Sequence, residues 1–410
     1  MIIHMMNIVI RYEDLKRWEK IGNRVFVYGR RKTGKSFFIK NFTNYDYYFF
    51  IKRDGGIIDI INNKDISYDY LKDILLSRKK VVIDEFQRLQ EDLLDFIHAN
   101  YEKINLILIT STLFLSKKIL EKHSPLLGLF EEFRIDLIDE RDIIKYLIDK
   151  ENGKELIEKA IYFREPWIID FVKGNIREEL ARIFKENKYT FESLIGEIFN
   201  EEERELNKTY INILTSIASG KNKSTEISSY LFSKKIIEKD DPSIIQSYLK
   251  ILQNIGLINK INVFNKKFDY YIISSPLLDI YFYLEGKYGI SENDIVYEII
   301  KEVVNDKIPF HVEYFFNSLL SKIYGLNYYK IVEKNYEIDI SLFKFKELKI
   351  VGEVKWKDYI DKNEIKEIEN KLNKFNCRKI LILPNKNNLE YYPENIEVLD
   401  VNDIINLVKI

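Results

Sequence analysis

Gly29-Arg30-Arg31-Lys32-Thr33-Gly34-Lys35-Ser36 decides how this chain is read. The stretch fits G-x-x-x-x-G-K-[ST], the pattern of a loop that wraps phosphates. Its glycines permit backbone angles and close approaches that a β-carbon blocks. Loop N–H groups and the start of the next helix then face the anion. Lys35 is expected to bridge the β- and γ-phosphates, and Ser36 to give its hydroxyl to Mg²⁺. Gly29 to Phe37 form the expected contact run. A lone match of this pattern arises by chance often enough that its surroundings matter. Here an apolar run, Arg24–Tyr28, enters the loop, and a helical stretch, Ser36–Phe42, leaves it.

Working outward, Val81-Val82-Ile83-Asp84-Glu85 places two carboxylates at the end of a buried strand. Asp84 suits the Mg²⁺ shell and Glu85 the polarisation of an attacking water. Leu106-Ile107-Leu108-Ile109-Thr110-Ser111 is a further apolar strand, ending in hydroxyls. Ser111 stands where a sensor of the γ-phosphate belongs. Further apolar runs at Tyr47–Lys52, Lys80–Ile83, Asn105–Thr110 and Phe133–Ile138 alternate with helical patterns. That alternation predicts parallel strands covered on both faces, an α/β layer. The aromatic run Tyr45–Phe50 reads most simply as one such buried strand.

The remaining composition narrows the class. The chain has 410 residues, 46% hydrophobic and 31% charged, with formal net charge −1. This length implies several domains, and the charge balance excludes a global polycation. Contact with DNA would need local patches. The single cysteine, Cys377, rules out an intramolecular disulfide and suits a reducing cytoplasm. Met1 to Ile10 lacks the features of a signal peptide. The apolar stretch Leu106 to Leu115 is too short for a bilayer, so no membrane contact is expected. His4, His98, His123 and His311 are scattered and predict no zinc site.

Beyond Glu140 the strand pattern stops. Arg141 to Asn200 carries apolar residues at helical spacing, an all-α lid, and ends in the charge run Glu201–Glu205. Helices at Tyr210–Ser219, after Ser224, and at Ser243–Gln253 follow. Asp241-Pro242 opens the third. Leu257–Val263 and Phe268–Ser274 then pair across Asn265-Lys266-Lys267. This order predicts a winged helix-turn-helix. Ile244, Ile245, Tyr248, Leu249 and Leu252 are expected to face inward. Ser243, Gln246, Ser247 and Lys250, with Lys266 and Lys267, are the candidate DNA contacts. A protein-contact role fits these residues equally well. In the last segment, strands are predicted at Glu337–Phe343, Lys349–Trp356 and Lys379–Leu383, with a helix at Glu364–Phe375.

At this point the sequence resembles the archaeal ATPases of the STAND/AAA+ group. The resemblance rests on Arg11-Tyr-Glu-Asp-Leu15, the phosphate loop, Asp84-Glu-Phe-Gln-Arg88, Thr110-Ser111 and Ser124-Pro-Leu-Leu-Gly128. It implies supporting roles for Arg11 and Pro166. Two positions depart from the family. Leu129 stands where an Arg is usual, and where the family has Gly-Gly-x-Pro, Arg164-Glu165-Pro166 keeps only the Pro. No arginine finger is therefore assigned, with Arg134 the remaining candidate. Glu337-Ile-Asp339-Ile and Gly352-Glu353-Val-Lys355-Trp resemble the core of PD-(D/E)XK nucleases. In that resemblance Asp339 and Glu353 bind Mg²⁺, Lys355 assists, and Glu313 on the helix His311–Ser321 is an additional acid. Glu353 and Lys355 share one strand face by alternation.

The expectation is an α/β, multidomain chain. It comprises a parallel, ASCE/AAA+-like phosphate-loop sheet (1–140), a helical lid (141–204), a winged helix (205–285) and a PD-(D/E)XK nuclease-like unit (286–410). ATP, ADP and Mg²⁺ are the expected ligands and DNA the candidate partner. The oligomeric state is open. Two functions compete: ATP-coupled nucleic-acid processing, or a STAND-type switch whose C-terminal unit only binds.

Overall fold

The structure, a computed structural model, describes residues 7–111, 128–201 and 208–409. His4, Thr112, His123, residues 124–127 and most of the acidic run at 201–205 lie outside the described residues. The first sheet has seven strands: β1 (Val25–Tyr28), β2 (Tyr47–Ile51), β3 (Ile57–Asp59), β4 (Lys64–Ile66), β5 (Lys80–Asp84), β6 (Asn105–Thr110) and β7 (Glu131–Arg134). Their order is β4-β3-β2-β5-β6-β1-β7. Strands β2, β5, β6, β1 and β7 run parallel. Phe26, Phe49, Ile83 and Leu108 meet Leu71, Leu75 and Leu93 on one face. Val25, Val27, Val82 and Ile109 meet Phe38 and Ile39 on the other. Burial on both faces explains the unbroken apolar runs. Strand β6 lies between β1 and β5, so the phosphate-loop strand and the acidic strand flank the hydroxyl-ended one.

Two details depart from expectation. Strands β3 and β4 form an antiparallel extension beyond β2, so the sheet is not wholly parallel. Strand β7 ends at Arg134, rather than running Phe133–Ile138. It is an edge strand, with Phe133 buried and Glu131, Glu132 and Arg134 exposed, so its apolar signal is weak.

The next region is helical: Glu140–Leu147, Gly153–Phe163, Ile176–Glu186 and Lys188–Glu201. Asp139 and Asn175 cap the first and third through the N–H groups of Arg141, and of Arg177 and Glu178. Helices Lys208–Ala218, Ser224–Ser233 and Pro242–Asn254 follow. Asp241 caps the last of these at Ser243 N. An antiparallel hairpin, β8 (Ile258–Asn262) and β9 (Asp269–Ile273), completes the group. The Ser224 helix is started by Glu226, whose carboxylate accepts from the N–H groups of Asn222 and Lys223. Ile244 is 39% exposed rather than turned inward.

Helices Pro276–Tyr288 and Tyr297–Tyr324 lead to the second sheet. The latter has 28 residues and includes Pro309. The expected helix His311–Ser321 is only its second half. Strands β10 (Asn327–Tyr328), β11 (Ile331–Val332), β12 (Glu337–Ile338), β13 (Ile340–Lys344), β14 (Glu347–Val354), β15 (Arg378–Ile382) and β16 (Glu397–Leu399) follow. Five form a mixed sheet ordered β10-β13-β14-β15-β16. The expected strand Glu337–Phe343 breaks at Asp339, between β12 and β13. Lys355 falls just past the end of β14. The Lys362–Leu372 and Val401–Lys409 helices complete the chain. A single buried cluster runs from Ile138 through Leu180, Leu214, Leu249, Leu284 and Phe316 to Val408, joining the helices to the second sheet.

Candidate functional site

The phosphate loop leaves β1 and enters the helix Lys35–Phe42, whose N-cap Gly34 has φ +91°. A β-carbon on Gly29 would lie 2.0 Å from the Ile135 carbonyl oxygen, so the loop needs glycine there. Thr33 Oγ1 donates to the Arg30 carbonyl and lies 3.1 Å from that of Ile135. Lys32 adopts φ +66°. Lys35 Nζ donates to the Arg30 carbonyl at 2.9 Å. Phe37 stacks edge-on against Phe42. Buried Arg11 donates to the Thr33 and Asp136 carbonyls at 2.7 and 2.8 Å. Pro166 also approaches Gly34, 3.6 Å from where its β-carbon would be. Arg30 pairs with Glu165 at 3.1 Å, and Arg31 with Glu197 at 2.7 Å. The helical region thus grips the loop through two arginines.

At the end of β5, Asp84 is buried and Glu85 adopts φ +60°, a left-handed conformation uncommon for a side chain of this type. Such strain is held by surrounding contacts. Arg88 pairs with Glu85 at 3.0 Å, Gln87 donates to it at 2.8 Å, and Ser111 Oγ stands 3.5 Å away. The Asp84 carboxylate accepts from Glu85 N at 3.0 Å and from the Tyr48 hydroxyl at 2.6 Å. The Ser36 side chain lies close to that hydroxyl. The two residues expected to hold Mg²⁺ therefore converge on one point, which fits an octahedral cation with few protein ligands. Burial and the Asp84 charge hold the Tyr48 phenol firmly protonated. Leu129 is half-buried against the neighbouring core, and Arg134 is exposed and paired with Asp136. Arg164 pairs with Glu140 at 2.8 Å.

In the second sheet, Asp339 Oδ2 accepts from Val354 N at 2.9 Å, which brings Asp339 beside Glu353. Glu353 is 2% exposed and its carboxyl is pushed up by burial, then by Asp339. Lys371 holds Glu353 at 2.7 Å, while Lys355 stands 3.8 Å from it and 4.0 Å from Glu364. Glu313 pairs with Lys330 at 3.0 Å, and burial, opposed by Lys330, raises its carboxyl to about 7. Asp339 and Glu353 thus offer a pair of oxygen donors, with Lys371 already on one of them. Among the described residues, no group of three or more His, Cys, Asp or Glu side chains is placed to hold a metal ion. Ser243, Gln246, Ser247, Lys250, Lys266 and Lys267 are exposed, and Lys266 pairs with Glu333.

Residues 22–136 match the AAA_14 family model, described as an AAA domain. This stretch is similar to an AAA domain. No curated protein matches the chain. Among solved structures, it overlaps the Aeropyrum pernix ORC2 protein in its ADP form at 14% identity and TM-score 0.29, covering 74% of this chain and 92% of that one. The Aeropyrum pernix ORC1 protein in complex with DNA overlaps at 14% and 0.28, covering 70% and 96%. A STAND protein with a tetratricopeptide repeat sensor from Pyrococcus horikoshii overlaps at 14% and 0.29, covering 77% and 54%. Among the described residues, no helix is long and apolar enough to cross a membrane.

Two residues of the AAA domain's surroundings escaped the sequence reading. Tyr48 sits in an aromatic run that reads as plain core. Glu165 lies 135 positions from Arg30, and an ion pair over that separation has no local signal. The departure from Gly-Gly-x-Pro just before Pro166 was the one available pointer.

Proposed function

We propose that the AAA domain binds Mg²⁺·ATP and hydrolyses it, and that its nucleotide state is coupled to nucleic-acid processing by residues 286–410. The convergence of Lys35, Ser36, Asp84, Glu85 and Ser111 on the C-terminal ends of β1, β5 and β6 carries this reading. Ser36 and Asp84 would hold Mg²⁺, which neutralises phosphate charge when bound. Lys35 leaves the Arg30 carbonyl to meet phosphate oxygens. Glu85, paired with Arg88, orients the water, and Ser111 reports on the γ-phosphate. Residues 141–204 act as the lid, through Arg30–Glu165 and Arg31–Glu197.

Residues 205–285 form a winged helix that presents Ser243, Gln246, Ser247 and Lys250 to DNA. Residues 286–410 form a PD-(D/E)XK-like unit with Asp339, Glu353 and Lys355 at its centre and Glu313 in support. A second reading is a STAND-type switch whose C-terminal unit binds without cutting. It is favoured by one observation: lysines already neutralise Glu353 and Glu313.

The test is ATP turnover with and without DNA, alongside Mg²⁺-dependent cleavage of single- and double-stranded DNA. Cutting by wild type but not by Lys355→Ala removes the switch reading. No cutting by either removes the nuclease claim. No turnover under any condition removes hydrolysis.

A further inference from the structure

We propose that Tyr48 is a positioning residue of the nucleotide site, fixing the Asp84 carboxylate in the orientation that Mg²⁺ requires; this rests on the phosphate-site reading above. Tyr48 lies on β2, beside Val82 of β5, and is 1% exposed. Its ring is fixed between the Tyr45 ring at 5.4 Å and the Lys40 ammonium at 4.7 Å. The hydroxyl donates to Asp84 Oδ2 at 2.6 Å.

Packing of β2 alone does not call for that oxygen. Phe49 and Phe50 follow it in the same strand, and a phenylalanine would fill the space without a buried polar atom to satisfy. The hydroxyl therefore has a polar task. A neutral phenol has one proton to give and lone pairs to accept with. Its proton goes to Asp84, which ties the end of β5 to the neighbouring strand β2. A carboxylate has about four acceptor positions. Tyr48 and Glu85 N take two of them, leaving the rest for a metal's water shell. Groups that orient metal ligands in this way typically change metal affinity about 10- to 100-fold when removed.

The experiment is ADP binding by titration calorimetry, in Mg²⁺ and in EDTA, for wild type and Tyr48→Phe. Wild type should gain affinity from Mg²⁺. In Tyr48→Phe that gain should fall about tenfold or more, with EDTA binding unchanged. Asp84→Asn should lose the gain too, and adding Tyr48→Phe to it should cost nothing further. An unchanged or larger Mg²⁺ gain in Tyr48→Phe overturns the assignment, as do additive effects in the double variant. A wild type that binds ADP without any Mg²⁺ gain overturns it as well. Failure of wild type to bind ADP in either buffer removes the phosphate-site reading itself.

Discussion

Glu165→Gln tests whether the lid grips the phosphate loop through a buried charge. Arg30 and Glu165 expose 6% and 2% of their side chains and stand 3.1 Å apart. Glu165 also accepts from Trp167 Nε1 at 3.0 Å and bonds Ser275, the cap of the Pro276–Tyr288 helix. Glutamine keeps the shape and an acceptor for Trp167, but strands the guanidinium without its counter-charge. Breaking a buried pair this way costs about 3–5 kcal/mol, and the retained hydrogen bonds place the variant near the lower figure. With a urea slope of about 3 kcal/mol/M, the transition that unfolds the lid moves down by about 1 M. Urea unfolding followed by tryptophan fluorescence reads this directly. Replacing both partners, Arg30→Met with Glu165→Leu, removes the stranded charge but leaves Trp167 and Ser275 without their acceptor, so it should recover only part of the loss. A Glu165→Gln midpoint matching wild type would refute the argument, since it would mean water already screens the pair.

Lys35→Ala should abolish the thermal stabilisation that ADP gives; at 100 times its Kd, wild type should gain about 2.7 kcal/mol. Equal stabilisation in the variant would dismiss Lys35 as a phosphate ligand. Glu85→Gln should bind ATP as wild type does while turnover falls about 10²- to 10⁴-fold, measured by phosphate release; persistent turnover removes Glu85 as the base. Burial, with Asp139, Glu13 and Asp14 nearby, lifts the Asp142 carboxyl to about 7. The folded chain keeps a proton there that the unfolded chain releases from about pH 4 upward, so stability falls as pH rises to about 7. Asp142→Asn removes this loss: it should match wild type near pH 4 and exceed it at pH 8 in urea midpoints. An equal gap at both pH values would refute that linkage.

The places of the Gly29–Ser36 loop and of the acidic end of β5 in the fold were legible because each is written in a short local stretch. Eight consecutive residues carry one, and five carry the other. Strands β1, β2, β5 and β6 were legible because burial on both faces leaves apolar runs. Strands β3 and β4 were missed because three residues each, such as Lys64-Asp65-Ile66, are too few to show a period. Strand β7 was misplaced because its edge carries Glu131, Glu132 and Arg134, while the apolar Ile135 and Ile138 lie after it. The approach of Asp339 to Glu353 was legible as two neighbouring strands. Its occupation by Lys371 was not, since that lysine arrives from a helix 18 residues later. Tyr48 shows the sharpest limit. Its ring obeys the core pattern, and its one functional atom leaves no mark on periodicity.

The buried cluster that runs from Ile138 to Val408 has a practical meaning for anyone dissecting this chain. The Tyr297–Tyr324 helix packs against the helices at 153–163, 176–186 and 276–288 as well as against β13. Cutting at residue 285 would bare Ile300, Val304, Ile308 and Leu319 on whichever fragment keeps that helix. Such a fragment would shed its apolar face into water and clump. A silent C-terminal fragment in a cleavage assay would therefore report on solubility, and enzymology belongs on the intact polypeptide.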